Sequence, residues 1–183
     1  FRLPFFLPVL EKSEEITTLS EGAFDPTVMP LVNAWGFGPG RKMKIDSVQV
    51  DSIMEFVGFD KVQFNRDSIW KEDKRVQLDF SAIAKGYGVD EVANLIRSQG
   101  INDWFVEIGG EISAFGKNQK LDKPWEAGVL HPNSTYENQS FKAYVQLQDK
   151  AMATSGNYFN YYEENGKKYA HTIDPSSGYT IRH

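Results

Sequence analysis

Apolar residues at Leu7, Leu10, Ile16 and Leu19 form a rough stripe, which predicts a helix over 6–19 that ends before Gly22. A second stripe at Ile83, Val89, Val92, Leu95 and Ile96, with Gly100 just beyond it, predicts the best helix of the chain over 81–99. Between them, Asp25 before Pro26 reads as an N-cap with proline at the first helical position. Pro30 should interrupt that helix after about one turn, with a second short turn running to Trp35-Gly36-Phe37-Gly38. A short helix over 52–57 stops at Gly58. Strand patterns fill the rest. Positions 62–64 and 68–70 read as a hairpin across Asn65-Arg66-Asp67, and 76–80 as a strand. Positions 104–115 read as a strand interrupted by Gly109-Gly110, and 125–130 and 141–147 alternate with period two. Positions 151–162 and 168–173 complete the pattern, joined by the turn Asn165-Gly166. Helices inserted among runs of hairpins define an α+β class with a mainly antiparallel sheet.

With 183 residues, length points to a single domain, with two small ones as the alternative. Hydrophobic residues at 40% and charged residues at 25% describe an ordinary globular mix, which argues against long disorder or a fibrous repeat. The formal net charge of -5 lacks the basic field that non-specific nucleic-acid binding needs, and makes anionic lipids poor partners. The absence of cysteine excludes disulfides, thiolate zinc sites and a cysteine nucleophile. No stretch approaches the roughly 20 apolar residues of a membrane span. The chain opens at Phe1 without an initiator Met and ends at Arg182-His183 with no capping element, so the expectation is a fragment.

Four segments can carry chemistry. In Leu78-Asp79-Phe80-Ser81-Ala82-Ile83-Ala84-Lys85-Gly86-Tyr87-Gly88 a strand runs into a helix start lined with small residues. Glycines in the first helical turns cost up to about 1 kcal/mol each relative to Ala. Either a ligand approaches the backbone there, with Lys85 holding a phosphate, or helix and sheet pack closely and Lys85 is solvated. The Gly-Lys-Ser/Thr ending of a Walker loop is absent. In Gly22-Ala23-Phe24-Asp25-Pro26-Thr27 the Asp25 carboxylate either caps a turn or faces a ligand's donors. In Tyr169-Ala170-His171-Thr172-Ile173-Asp174-Pro175-Ser176-Ser177-Gly178, His171 is the best candidate general base, because His131 precedes Pro132 in a loop and His183 is terminal. A His171–Asp174 pair requires the strand to end between them. Ala153-Thr154-Ser155-Gly156-Asn157-Tyr158 lacks the Gly-x-Ser-x-Gly elbow of a hydrolase and reads as a bulge or ligand-contact loop; Gly109-Gly110 carries the same two readings.

Five blocks in one order resemble the FAD:protein FMN transferase (ApbE-type) family, formerly called thiamine biosynthesis lipoproteins. They are Gly22-Ala23-Phe24-Asp25-Pro26-Thr27 with Trp35-Gly36-Phe37-Gly38; Asp79 to Asp90; Glu107-Ile108-Gly109-Gly110-Glu111; Ser155-Gly156-Asn157-Tyr158; and His171 to Gly178. The resemblance implies one FAD-binding domain over 1–183 that lacks its natural N- and C-terminal segments. It also implies an Mg²⁺-dependent enzyme. A Thr or Ser hydroxyl of an acceptor protein attacks the FMN-side phosphorus of FAD, AMP leaves, and the acceptor is flavinylated. By position, Ala23, Phe24, Asp25, Asp79 and Lys85 would contact FAD, His171 and Thr172 would line the site, and His171 would be the base. The backbone carbonyl of Ala82 would be a metal ligand, with an Asp and a Thr from a segment after His183 completing the set. The family further implies a periplasmic, extracytoplasmic lipoprotein anchored to the inner membrane by lipid. Two alternatives share the pocket: an FAD pyrophosphatase giving FMN and AMP, and a flavin-binding protein without turnover.

Overall fold

In a computed structural model, all residues are described except 1–4, 40–42, 44, 136, 157–160, 165 and 182–183, along with the side chain of Lys167. The chain divides into two compact units, Phe1–Ala82 with Asn160–His183, and Ile83–Phe159. Helices sit among antiparallel strand pairs, as the α+β reading expects. No helix of the described residues is long and apolar enough to cross a membrane.

The first unit opens with helix α1, Leu7–Leu19, within one residue of the predicted span. Its inner face is Val9, Leu10 and Ser13, so the stripe is rotated from the one predicted, and Leu19 is 76% exposed. Helix α2, Met29–Trp35, begins three residues after Pro26, not at it. Pro30 lies in its first turn, where the missing N–H has no intrahelical partner to lose, so it starts a helix here and interrupts none. Helix α3 spans Ser47–Met54 and starts five residues before the predicted helix. Asp46 accepts from the Gln49 backbone N–H, and the Gln49 side chain accepts from the Asp46 N–H. This capping box fixes the helix start, and its Asp-x-x-Gln spacing was visible in the sequence. Leu31, Val50, Val57 and Ile173 form the core, with Trp35, Ile53 and Met54 packed against it. Strands β1, Val62–Phe64, and β2, Ile69–Lys71, form the predicted hairpin. Positions 76–80 form no strand: a single parallel bridge joins Gln77 to Val28, and the rest is irregular.

The second unit is built on helix α4, Ala84–Ser98. It starts three residues later than predicted, because Ser81 to Ile83 form a turn whose Ser81 N–H donates to the Asp79 carboxylate. Strands β3, Trp104–Ile108, and β4, Glu111–Phe115, are a true hairpin, not one interrupted strand. Gly109 and Gly110, at φ +56° and +94°, form its two-residue turn. Two consecutive positive φ values match the right-handed twist of the flanking strands and are open to glycine at little cost. The two alternating segments are strands β5, Trp125–Leu130, and β6, Phe141–Leu147, which pair with each other, and β7, Lys150–Met152, adds to β4. Alternate residues of the β3-β4-β7 sheet face opposite ways. Trp104 and Val106 meet Val89 and Ala93 of α4 on one face. Ile112 and Ala114 meet Ala127 and Leu147 on the other. Of the predicted α4 stripe, Val89 is buried and Ile96 packs at its edge, whereas Leu95 is 61% exposed.

The first unit ends with β8, Tyr161–Glu164, and β9, Lys167–Ala170. The strand predicted over 151–162 is therefore two, β7 and β8; its positions 157–160 and residue Asn165 of the predicted turn lie outside the described residues.

Candidate functional site

In the first unit the Asp25 segment is a cross-link. Asp25 Oδ1 accepts from the Thr27 backbone N–H at 2.8 Å and from Thr27 Oγ1 at 2.6 Å, and Oδ2 accepts from the Phe59 N–H at 3.0 Å. Thr27 Oγ1, fully buried, accepts in turn from the Gly58 N–H at 2.6 Å. The carboxylate therefore caps a turn and ties it to the segment ahead of β1. The preceding residues are tied to the end of α1: Phe24 N–H donates to Ser20 Oγ at 3.0 Å, and the exposed Ala23 donates its N–H to the Ser20 carbonyl at 3.0 Å. The Asp79 N–H donates to the Pro26 carbonyl at 2.7 Å, so the two sequence-predicted segments around Asp25 and Asp79 do meet.

β9 ends at Ala170, so the strand stops before His171 and not between His171 and Asp174, where a His–Asp pair would need it to end. The Asp174 carboxylate accepts from Ser176 N–H, Ser176 Oγ and Ser177 Oγ. Those three donors hold it below the usual carboxylate range. Residues 172–181 fold back on themselves: Ile181 N–H donates to the carbonyl of the exposed Thr172, and Ile173 bridges to Thr180. Ile173 plugs this loop into the core. Trp35 Nε1 donates to the Gly178 carbonyl at 2.9 Å. Gly178 is required, at φ +75° with only 2.7 Å from a built Cβ to Val50 Cγ1. His171 lies edge-on to Phe37 at 6.4 Å, Phe37 contacts Tyr162, and Tyr162, Tyr169 and Trp35 stack in sequence. The half-buried imidazole thus sits at the end of an aromatic ladder.

In the second unit the start of α4 is tied to the β3–β4 turn. Lys85 Nζ donates to the Gly109 carbonyl at 3.0 Å and to Glu111 Oε1 at 2.7 Å. Glu111 Oε2 accepts from the Thr154 N–H at 3.1 Å, and Thr154 Oγ1 donates to the Gly110 carbonyl at 3.3 Å. Glu111 is 15% exposed and Lys85 44%. Burial opposes ionisation of Glu111, but the Lys85 ammonium and the Thr154 N–H outweigh it and keep its carboxyl below the ordinary value. Sequence reasoning did not single out Glu111 or Thr154. Reading Gly109-Gly110 as a two-residue turn would have placed Glu111 opposite Ile108, on the strand that faces α4.

Close packing does not explain the helix glycines. A Cβ on Gly88 would touch Ile108 Cδ1 at an ordinary 3.5 Å, and one on Gly86 would meet nothing within 4 Å. Of the Asn157 and Tyr158 block, both residues lie outside the described set.

A magnesium site needs several hard oxygen ligands. Ala82 is an exposed residue, and its backbone carbonyl is a hard neutral oxygen of the kind Mg²⁺ accepts. Among the described residues no group of three or more His, Asp or Glu is placed to hold a metal ion. One carbonyl does not make a Mg²⁺ site, so the described residues do not fit the ion by themselves.

Lowered carboxyls make an acid prediction. The unfolded chain binds protons at Glu111 and Asp174 at a higher pH than the folded one does. Stability from these groups is therefore present above their unfolded values, roughly pH 4, and is lost as pH falls through the folded values. Urea unfolding followed from pH 6 downward should show stability falling below roughly pH 4, and the Glu111→Gln variant should show a shallower fall. An equal fall in both would remove Glu111 from the linkage.

One unit holds an antiparallel sheet with a helix on one face and a hairpin on the other, and the other unit is rich in helices; together they place the chain among α+β proteins. More narrowly, it matches the ApbE family over residues 4–183 and belongs to that family. It is 40% identical over 184 residues to the FAD:protein FMN transferase of Haemophilus influenzae, an alignment covering 97% of this chain and 53% of that protein. With the FAD:protein FMN transferase of Escherichia coli K12 it shares 34% identity over 189 residues, 96% of this chain and 53% of that one. A solved structure of the flavin transferase ApbE from Vibrio cholerae matches with a TM-score of 0.82 at 35% identity, over 98% of this chain and 56% of that chain. The chain spans about half the length of the curated relatives it matches.

Proposed function

We propose that this chain forms part of an enzyme that moves FMN from FAD to a Thr or Ser hydroxyl of an acceptor protein. The observation that carries this reading is the fixed ammonium of Lys85 at the start of α4, in a chain of the ApbE family whose similar relatives are named FAD:protein FMN transferases. An ammonium has three N–H donors. Two of Lys85's are taken by Gly109 and Glu111, and the third is available to a phosphate oxygen.

In the reaction the acceptor oxygen bonds to the FMN-side phosphorus. The bond from that phosphorus to the bridging oxygen breaks, and AMP leaves with the bridging oxygen. His171 takes the hydroxyl proton, a role suited to imidazole near neutral pH. Lys85 offsets charge on the diphosphate as the bridge breaks. Ala23 and Phe24 bind FAD on the loop that Asp25 holds in shape, with Asp79 next to it and Thr172 beside the base. An Mg²⁺ requirement belongs to the same proposal, with the Ala82 carbonyl as one ligand by the family resemblance; the described residues do not supply a full ligand set. An extracytoplasmic, lipid-anchored location belongs to the proposal as well.

The test is to incubate full-length protein with FAD, Mg²⁺ and a Thr-containing acceptor, and to look for flavin fluorescence that stays on the denatured acceptor. A non-fluorescent acceptor contradicts the proposal.

Gly86 separates ligand approach from simple tolerance. Gly86→Ala should raise unfolding stability by up to about 1 kcal/mol through helix propensity, because its Cβ meets open space. It should at the same time weaken FAD binding, measured by titration. Undiminished affinity would show that no ligand needs that space.

A further inference from the structure

Most ion pairs among the described residues are local. Lys12–Glu15, Arg75–Asp73 and Lys117–Asp122 each join residues within five positions of one another. Lys85–Glu111 spans 26 positions and joins a helix start to a strand start. With the Lys85 ammonium 44% exposed, solvent screens the attraction, so stability is a weak reason for the pair. Charge is no better a reason, since a carboxylate against the ammonium reduces its attraction for an anion.

Orientation is what the pair supplies. A lysine side chain is a flexible stem with much rotamer freedom to lose when its ammonium is held in one place. Here its Nζ has two fixed acceptors, and the direction of the third N–H follows from them. The acceptors are themselves fixed. Gly109 lies in the hairpin turn, whose backbone is braced by Glu107 Oε1 accepting from the Gly110 N–H at 2.6 Å. That turn packs on the lysine stem, since a Cβ on Gly109 would stand 3.0 Å from Lys85 Cδ. The Glu111 carboxylate, the more buried partner, is held from its other side by the Thr154 N–H.

We propose that Glu111 is a positioning residue: with the Gly109 carbonyl it aims the remaining N–H of Lys85 at the FAD diphosphate, and the Thr154 backbone aims Glu111. This rests on the reading that Lys85 contacts the diphosphate.

The experiment is a double-mutant cycle on full-length protein, with FAD affinity read by titration. Lys85→Met and Glu111→Gln should each weaken binding about tenfold, and the double variant should be no worse than Lys85→Met alone, since coupled residues are not additive. Glu111→Asp keeps the charge but withdraws it by one methylene; it should lose affinity like Glu111→Gln. Equal losses from Glu111→Gln in both backgrounds, or Glu111→Asp binding like wild type, overturn the positioning role while leaving Lys85 in place. Unchanged affinity in Lys85→Met overturns the diphosphate contact itself, and the positioning role with it.

Discussion

Replacing His171 by Ala should leave FAD bound and lower FMN transfer by roughly 10²–10⁴-fold, the usual worth of a positioned general base. The imidazole follows β9 and rests edge-on against Phe37, while Ile173, two residues on, is buried in the core of the first unit. Truncating a half-buried side chain at the edge of an aromatic ladder removes little packing, so the fold and the aromatic stack should survive. The loss should therefore fall on kcat more than on FAD affinity. Single-turnover transfer with FAD in excess, beside an FAD titration, separates the two. Transfer at the wild-type rate would remove His171 from the chemistry; a matching loss of FAD affinity would make it a binding residue.

Asp25→Ala should act on folding first. The carboxylate accepts two backbone N–H groups and the Thr27 hydroxyl, and Thr27 Oγ1 serves the Gly58 N–H. Removing it strands donors at and around a buried threonine, each costing about 1–3 kcal/mol when left unmet. Partial relaxation and water leave a net loss of roughly 2–4 kcal/mol, a large share of the 5–15 kcal/mol that holds a typical domain together. The variant should unfold at a lower urea concentration with an unchanged slope. FAD affinity, measured well below that midpoint, should fall less than stability does. Wild-type unfolding with FAD binding abolished would instead make Asp25 a direct ligand contact.

The helices with strong punctuation were legible. Gly100 closes α4 and Gly22 follows α1, as expected from glycine's place beyond a helix end. The β1–β2 hairpin was legible, and so were β5 and β6 as strands from their alternation, though not their pairing with each other. Misreadings came where one residue type serves two uses. Pro30 reads as a breaker from sequence, yet a proline in a first turn favours the helix that follows. Asp25 looked like a helix cap, yet its partners include the Phe59 N–H, 34 positions away, which no local pattern contains. Gly109-Gly110 looked like a flaw in one strand because both flanks are apolar enough to be continuous. That misreading also hid Glu111, whose partner Lys85 lies on another element. Residues 76–80 have a strand's composition, but their one pairing is the Val28–Gln77 bridge, so tertiary context decided against the propensity. Local chemistry thus marked Lys85 and His171, and the contacts that hold them in place came from pairings distant in sequence.

The most direct measurement is the ratio of AMP released to FMN bound covalently to acceptor, taken with full-length protein, FAD and Mg²⁺. Transfer to a protein hydroxyl predicts one AMP for each flavinylated acceptor and almost none when acceptor is omitted. AMP and free FMN accumulating at the same rate without acceptor would mean that water, not a Thr or Ser hydroxyl, is the nucleophile.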